Sequence, residues 1–128
     1  MSTRVLIVDD NPALRESLQL VLSQAGYEVE TARDGGEAVE VQASHPADVL
    51  LTDIFMPDRD GIETIQLFRS RYPAMGIIAM SGDAHFPVQT DYLQVAEVAG
   101  ADFTLRKPFK PQALLEKLRA LRPQGKAG

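Results

Sequence analysis

Five polar residues stand at, or close behind, the ends of short apolar runs in the sequence. They are Asp9, Asp10, Asp53, Ser81 and Lys107. Three carboxylates brought together repel one another unless a cation lies between them. Oxygen ligands without sulfur favour a hard cation, and Mg²⁺ suits an open site because it keeps several waters and takes one or two carboxylates plus a phosphate. The residue types therefore predict a Mg²⁺ site that handles a phosphoryl group.

The lysine and the serine complete the chemistry of such a site. A lysine supplies a point charge, and a hydroxyl supplies a hydrogen bond, to the oxygens of a phosphoryl group. A carboxylate in line with phosphorus then acts as nucleophile and becomes an aspartyl phosphate. Asp53 is the candidate because it ends an apolar run expected at the centre of the fold. Taken singly, the acids have plainer explanations, since Asp9 to Pro12 can form a helix-capping turn and Asp53 can cap the segment after it.

The elements that must position these residues alternate along the chain as strand and helix. Strands are predicted at Val5–Val8, Glu28–Ala32, Val49–Thr52, Ile77–Met80 and Phe103–Leu105. The first, third and fourth are apolar at successive positions, which is typical of central strands covered on both faces. Five strand-helix units in 128 residues fit an open, doubly wound parallel sheet, in which ligands bind beyond the carboxyl ends of the strands.

Helical spacing fills the intervals between the predicted strands. The first helix is expected to begin at Pro12 and stop at Gly26, and the second to follow a cap at Asp34. The third carries Ile62, Ile65 and Phe68, the fourth covers roughly 88–99, and the fifth carries leucines from Leu114 to Leu121.

Composition excludes several classes of protein. With 45% hydrophobic and 24% charged residues, the chain is predicted to be one globular domain rather than a disordered segment. It has no cysteine for disulfides or thiolate metal sites. No apolar run approaches the ~20 residues of a membrane span, and the amino terminus does not fit a signal peptide, so a cytoplasmic location without membrane contact is expected.

Charge is distributed unevenly along the chain. The net charge is −5, yet residues 103–128 carry seven basic side chains and one acidic side chain. No aromatic platform is interleaved among these bases, so a solvated helix face is favoured over direct contact with nucleic acid. A glycine-rich phosphate loop is also absent, because the Asp34–Gly36 segment lacks the spacing and the lysine of such a loop.

Several segments together resemble the receiver domains of two-component response regulators, the CheY-like family. V-L-I-V-D-D-N, A-R-D-G-G-E-A, A-D-V-L-L-T-D-I-F-M-P-D-R-D-G, M-S-G and G-A-D-F-T-L-R-K-P-F occur in the family's order. The resemblance runs from Arg4 to about Leu121. It implies a single α/β domain over residues 1–122, a doubly wound (βα)5 fold with a five-stranded parallel sheet in the order 2-1-3-4-5, and a frayed tail at 123–128.

The resemblance also implies a role for each site residue. Asp53 is similar to the family's phosphoacceptor, Asp10 to its direct Mg²⁺ ligand, and Asp9 to the acid that acts through metal-bound water. The backbone carbonyl of Phe55 resembles the third protein ligand of the metal.

Two further positions match the residues that hold the phosphoryl group in the family. Ser81 and Lys107 resemble the pair that grips its oxygens. Pro108 is similar to the proline that follows the lysine, in a cis peptide bond in the family.

Partners are implied in the same way. Receiver domains take phosphate from a histidine kinase or a histidine phosphotransfer protein, and here the docking surface would include Asn11, Pro12, Leu14 and Arg15. Phosphorylation is expected to alter the face formed by the fourth helix, fifth strand and fifth helix, and so the binding of an output partner that the sequence does not identify. The chain is not expected to be an enzyme beyond slow self-dephosphorylation, and a homodimer remains open.

Two departures from the family pattern concern switching. The family usually has Tyr or Phe three residues before the lysine, where this chain has Thr104. Phe103 is adjacent, but neighbouring strand residues face opposite sides, so it is expected in the core. The stretch between Ser81 and Gly100 is several residues longer than in many members, and Phe86 within it is a candidate replacement for the missing aromatic. Asp83, like Phe55, lies where a side chain can tune attack of water on the acyl phosphate.

Alternative functions stay open at this point. A pseudo-receiver that binds a partner without phosphate is favoured by Thr104 and disfavoured by the intact acidic set. An aspartyl phosphohydrolase would need a D-x-D arrangement at its nucleophile, which is absent. A flavodoxin-like electron carrier is disfavoured because the acids would repel the flavin phosphate.

Overall fold

The computed structural model describes residues 3–54, 61–82 and 92–125, in which strands and helices alternate. The strands are β1 (Arg4–Val8), β2 (Glu28–Ala32), β3 (Val49–Asp53), β4 (Gly76–Gly82) and β5 (Phe103–Lys107). The helices are α1 (Pro12–Gln24), α2 (Gly35–Ser44), α3 (Gly61–Arg71), α4 (Tyr92–Ala99) and α5 (Pro111–Gly125). None of the helices in these ranges is long and apolar enough to cross a membrane.

The five strands form one parallel sheet in the order β2-β1-β3-β4-β5. This order confirms the predicted doubly wound α/β fold, and β1, β3 and β4 are the interior strands as predicted. Because every strand runs in the same direction, the carboxyl ends of all five meet at one edge of the sheet.

Each face of the sheet carries its own apolar cluster, because alternate residues of a buried strand face opposite sides. One cluster joins the sheet to α2, α3 and α4 and includes Leu50, Ile65 and Phe68. The other joins it to α1 and α5 and includes Leu22 and Leu114. The strands are therefore held from both sides, which fixes the positions of the residues at their ends.

The first two helices begin at the residues that the sequence predicts. The Asn11 side chain accepts hydrogen bonds from the backbone N–H groups of Ala13 and Leu14 at the start of α1. Asp34 caps α2 by accepting from the backbone N–H of Glu37. These contacts satisfy N–H groups that have no partner within the helix.

Several strands are longer than predicted. β3 includes Asp53, β4 extends to Ser81 and Gly82, and β5 extends to Lys107. The prediction ended each strand where its apolar run ended, but the backbone ladder continues, because Ser81 pairs with Arg106 and Gly82 with Lys107. Asp53, Ser81 and Lys107 thus lie within the last residues of their strands, whereas Asp9 and Asp10 follow the end of β1.

Two helix predictions differ at the ends. α5 continues to Gly125, three residues into the tail predicted at 123–128. α4 is described from Tyr92, and residues 88–91 of the predicted helix lie outside the described residues.

Arg69, in the last turn of α3, joins three segments at the opposite edge of the sheet. Its guanidinium donates to the carbonyl oxygens of Pro73, Met75 and Gly100 and to the carboxylate of Asp102, at 2.8 to 3.0 Å. Gly100 has φ +132°, and a Cβ there would lie 2.9 Å from Arg69 Cγ. This contact fixes the turn from α4 to β5.

Gly61, at the start of α3, lies directly against the end of β3. A Cβ at this position would be 2.1 Å from the Asp53 carbonyl oxygen and 2.6 Å from Ile54 Cα. Both are backbone atoms, one in the last residue of β3 and one in the buried residue that follows it, so they cannot turn aside as a side chain would. A residue without a Cβ is therefore required here.

Gly61→Ala is expected to lower the free energy of unfolding by about 1 to 3 kcal/mol, because the added methyl overpacks the end of β3. Urea titration followed by circular dichroism measures the change. Gly36→Ala is the matched control, because its Cβ would meet its nearest atom, Asp34 Oδ1, at 3.4 Å, an ordinary contact. An equal effect of the two substitutions would contradict the steric explanation.

Candidate functional site

Three carboxylates meet at the carboxyl edge of the sheet. Asp9 and Asp10 follow β1 directly, and Asp53 ends β3, the strand next to β1. A carboxylate oxygen from each lies within 4.8 Å of the others. Asp9 and Asp53 are buried, at 1% and 7% exposure, and Asp10 is exposed. The structure thus brings together the three acids that the sequence singles out.

Lys107 forms ion pairs with two of these acids. Its Nζ lies 2.8 Å from Asp9 Oδ2 and 3.4 Å from Asp53 Oδ2. Within this group of described side chains, one ammonium against three carboxylates leaves two negative charges. The donor set consists of oxygens only, and the exposed Asp10 leaves it open to solvent, which fits a hard divalent cation such as Mg²⁺.

Ser81 is placed between the strands that carry Asp53 and Lys107. It is the penultimate residue of β4, which pairs with β3 on one side and β5 on the other. Met80 is opposite Asp53, and Gly82 is opposite Lys107. Ser81 is 4% exposed, so this residue is buried at the same end of the sheet as Asp53 and Lys107.

The end of β3 is held by contacts that the sequence analysis missed. The Thr52 hydroxyl donates to the Asp53 carbonyl oxygen at 2.9 Å, and the backbone N–H of Ile54 donates to the Met80 carbonyl oxygen at 2.9 Å. A threonine before the aspartate could have suggested the first contact, since hydroxyls often bond nearby backbone groups. Together with Gly61, these contacts determine where the Asp53 backbone lies.

Thr104 and Phe103 face opposite sides of the sheet, as predicted. Phe103 is half-buried and packs against the cluster shared with α1 and α5, and Lys117 Nζ lies 5.2 Å from its ring centroid. Thr104 is opposite Ala79, which is itself opposite Thr52. The row beside the site therefore holds two threonines and an alanine, and Phe103 does not take the place of the missing aromatic.

The predicted docking residues lie at the start of α1, but they are not equally exposed to a partner. Asn11 and Pro12 are exposed, whereas Leu14 is half-buried against the cluster under α1 and α5. Arg15 is also half-buried, and its Nη1 donates to the backbone carbonyl oxygen of Asp9 at 2.7 Å. No pattern in the sequence indicates this contact, because an arginine in the first turns of a helix is ordinarily a surface residue.

Three other predicted site residues, Phe55, Asp83 and Phe86, lie outside the described residues. The peptide bond between Lys107 and Pro108 is cis, as the family resemblance implied.

Comparison with known proteins identifies the family. A family model described as the response regulator receiver domain matches residues 5–119. The chain belongs to this family. It is a receiver domain of the kind used in two-component signalling, and the resemblance drawn from its sequence is confirmed.

Similar proteins include longer regulators and single domains. The response regulator MprA of Mycobacterium ulcerans is 42% identical over 121 residues, which are 94% of this chain and 50% of that protein. MprA of Mycobacterium tuberculosis is 40% identical over the same length. The receiver domain therefore spans about half the length of these curated relatives.

Solved structures agree with the fold over nearly the full chain. A CheY-like receiver domain protein from Methanospirillum hungatei is 34% identical with a TM-score of 0.88, and each chain is covered completely. The chemotaxis protein CheY4 of Vibrio cholerae is also 34% identical, with a TM-score of 0.82 over 94% of this chain and 99% of that chain.

Asp53→Asn is expected to stabilise the metal-free receiver domain. The substitution removes two repulsions, to Asp9 and Asp10, and one attraction, to Lys107, which at an effective dielectric constant of about 20 is a net gain of about 1 to 2 kcal/mol. Thermal unfolding in the presence of a chelator measures it as a rise in Tm of several degrees. Added Mg²⁺ should raise the Tm of the wild-type protein more than that of the variant, because a ligand that binds only the folded state stabilises it.

Glu40→Gln makes the same change of charge on the exposed face of α2 and should leave both measurements nearly unchanged. A lower Tm for Asp53→Asn without metal would contradict the repulsion described here.

Proposed function

We propose that this receiver domain accepts a phosphoryl group on Asp53 in a Mg²⁺-dependent reaction, with a histidine kinase or a histidine phosphotransfer protein as donor. The observation that carries the proposal is the position of Lys107, 3.4 Å from Asp53 Oδ2 and 2.8 Å from Asp9 Oδ2, beside a group of three oxygen ligands. A lysine at that distance can pair with a phosphoryl oxygen on Asp53 without a large change of the backbone.

The proposed reaction transfers phosphorus from nitrogen to oxygen. A carboxylate oxygen of Asp53 attacks the phosphorus of a phosphohistidine, the P–N bond breaks, and its electron pair returns to the imidazole, which then takes a proton from water. The product is an acyl phosphate on Asp53. Burial of Asp53 keeps bulk water away from its carboxylate, and β3 holds it at a fixed position at the rim.

The side chains around Asp53 have separate roles in this proposal. Asp10, Asp9 and Asp53 would hold Mg²⁺, which when bound offsets negative charge on the phosphoryl oxygens. Lys107 pairs with one of those oxygens, and the Ser81 hydroxyl donates to another. The carbonyl of Phe55 remains a proposed fourth contributor to the metal site.

Phosphorylation would change the charge at the end of β5. A phosphoryl group adds about −1.5 to −2 charges at pH 7 and competes with Asp9 for Lys107. Lys107 ends β5, and α4 and α5 lie on opposite faces of the sheet. The change of charge therefore acts at the end of β5, beside the face formed by α4, β5 and α5. It would alter the binding of an output partner, or of a second copy of the domain, to that face. The domain acts as an acceptor with at most slow self-dephosphorylation, not as a turnover enzyme.

A second candidate function is a pseudo-receiver that binds a partner without phosphate. Thr104 supports it, because the row Thr52, Ala79 and Thr104 contains no aromatic that could move inward when Ser81 contacts a phosphoryl group. The pairing of Lys107 with Asp53 argues for the first function.

Incubation with acetyl phosphate and Mg²⁺ is expected to add one phosphate to the intact protein, because a small donor needs no docking surface. Mass spectrometry of the whole chain detects the gain. Asp53→Asn and addition of a chelator should each abolish it, and Lys107→Met should reduce it by about tenfold or more, since it removes a charge from the transition state.

Glu40→Gln serves as the control and should be phosphorylated as the wild-type protein is. Wild-type protein that gains no mass, while still binding its partner, would favour the pseudo-receiver. A gain that persists in Asp53→Asn would show that another residue is the acceptor.

A further inference from the structure

The backbone carbonyl of Asp9 lies just beyond the end of the β1 ladder. The last paired residue of β1 is Val8, which is opposite Ala32 and Thr52, and the Asp9 N–H still donates to the Ala32 carbonyl at 3.1 Å. None of the described strand residues pairs with the Asp9 carbonyl. A carbonyl of a buried residue requires a donor from elsewhere in the protein.

Arg15 supplies that donor from the first turns of α1. Its Nη1 donates to the Asp9 carbonyl oxygen at 2.7 Å, which is short, as expected for a charged donor. Arg15 makes no ion pair with the carboxylates of the described residues, so this contact is its main interaction there.

The contact completes the set of hydrogen bonds that holds Asp9. Its Oδ1 accepts from the backbone N–H of Asn11 at 2.9 Å, and its Oδ2 accepts from Lys107 at 2.8 Å. With the carbonyl held by Arg15, both the backbone and the carboxylate of Asp9 are fixed.

Asp10 gains its position from its two neighbours. Asp9 is fixed on one side, and Asn11 on the other side caps α1 and accepts from the backbone N–H of Arg15 at 3.1 Å. Asp10 itself is exposed and makes none of these contacts. The direction of its carboxylate therefore depends on a turn that the Arg15 side chain closes.

From this geometry we infer that Arg15 is a positioning residue of the Mg²⁺ site: it holds the turn of Asp9 and Asp10 in the shape that binds the cation. The inference rests on the proposed function, because it concerns the metal site used there. It differs from the docking role predicted from the sequence, in which Arg15 belongs to the surface that contacts the phosphodonor protein.

The charge of Arg15 and its positioning role have opposite effects on the affinity for Mg²⁺, which makes the inference testable. Removal of a positive charge close to a cation site strengthens cation binding if charge alone matters. Loss of a group that orients metal ligands weakens binding, commonly by tenfold or more. The sign of the change therefore separates the two effects.

The experiment is a Mg²⁺ titration of ¹⁵N-labelled protein at constant ionic strength, followed through the amide resonances of Asp9, Asp10 and Asn11. Arg15→Gln is expected to raise the Kd for Mg²⁺ by about tenfold. Arg15→Lys keeps the charge and a donor of similar reach, and it should recover part of the affinity. Urea unfolding of each variant verifies that the fold is retained.

Arg119→Gln is the matched control, because it removes the same charge from the exposed face of α5 and should leave the Kd unchanged. Phosphorylation by acetyl phosphate gives a second readout, in which Arg15→Gln should need about tenfold more Mg²⁺ for half-maximal labelling than the wild-type protein.

An unchanged or lower Kd in Arg15→Gln would overturn the inference and leave the proposed function intact, and a defect seen only with a protein phosphodonor would restore the docking role. Absence of saturable Mg²⁺ binding in the wild-type protein would overturn the proposed function and the inference together.

Discussion

Three carboxylates share one edge of the sheet, and one lysine side chain contacts two of them. The distances of Lys107 Nζ to Asp9 and Asp53, 2.8 and 3.4 Å, show that the lysine offsets part of the repulsion but not all of it. Burial of Asp9 and Asp53 makes the remainder costly, because charges interact more strongly away from water. The remaining repulsion therefore lowers the stability of the folded protein and at the same time favours the binding of a cation.

The sheet makes this arrangement possible. Parallel strands end at a common edge, and the two apolar clusters hold β1, β3 and β4 in place from both faces. The free energy of those clusters can offset the cost of a few unfavourable side chains at the rim. Natural proteins commonly accept such a conflict at a functional site and compensate for it elsewhere.

Much of the fold and of the site could be predicted from the sequence, because both depend on local patterns. Apolar runs such as V-L-I-V identify the interior strands, and Pro12 and the Asp34 cap identify two helix starts. Once the strands were known to be parallel, the meeting of Asp9, Asp10, Asp53 and Lys107 followed from their places at strand ends.

The remaining features depend on contacts between distant segments, which sequence patterns do not describe. The strand ends were underestimated because Ser81 and Lys107 are polar, whereas the ladder is formed by backbone groups that are alike in every residue. The Arg15 side chain reaches the Asp9 carbonyl, which lies past the last paired residue of β1 in the part of the chain that the structure describes. Gly61 is required because α3 starts against the backbone of β3, and nothing in its neighbours' identities indicates that approach.

The junction at Arg69 limits what evolution or an engineer can substitute there. Guanidinium offers five N–H donors spread over three nitrogens in one plane, whereas an ammonium concentrates three donors on a single atom. Arg69 uses that spread to reach carbonyls of the turn before β4, the turn before β5 and the Asp102 carboxylate at once. A lysine would keep the charge and still leave some of those acceptors to water, so a replacement usually regarded as conservative would loosen both turns together.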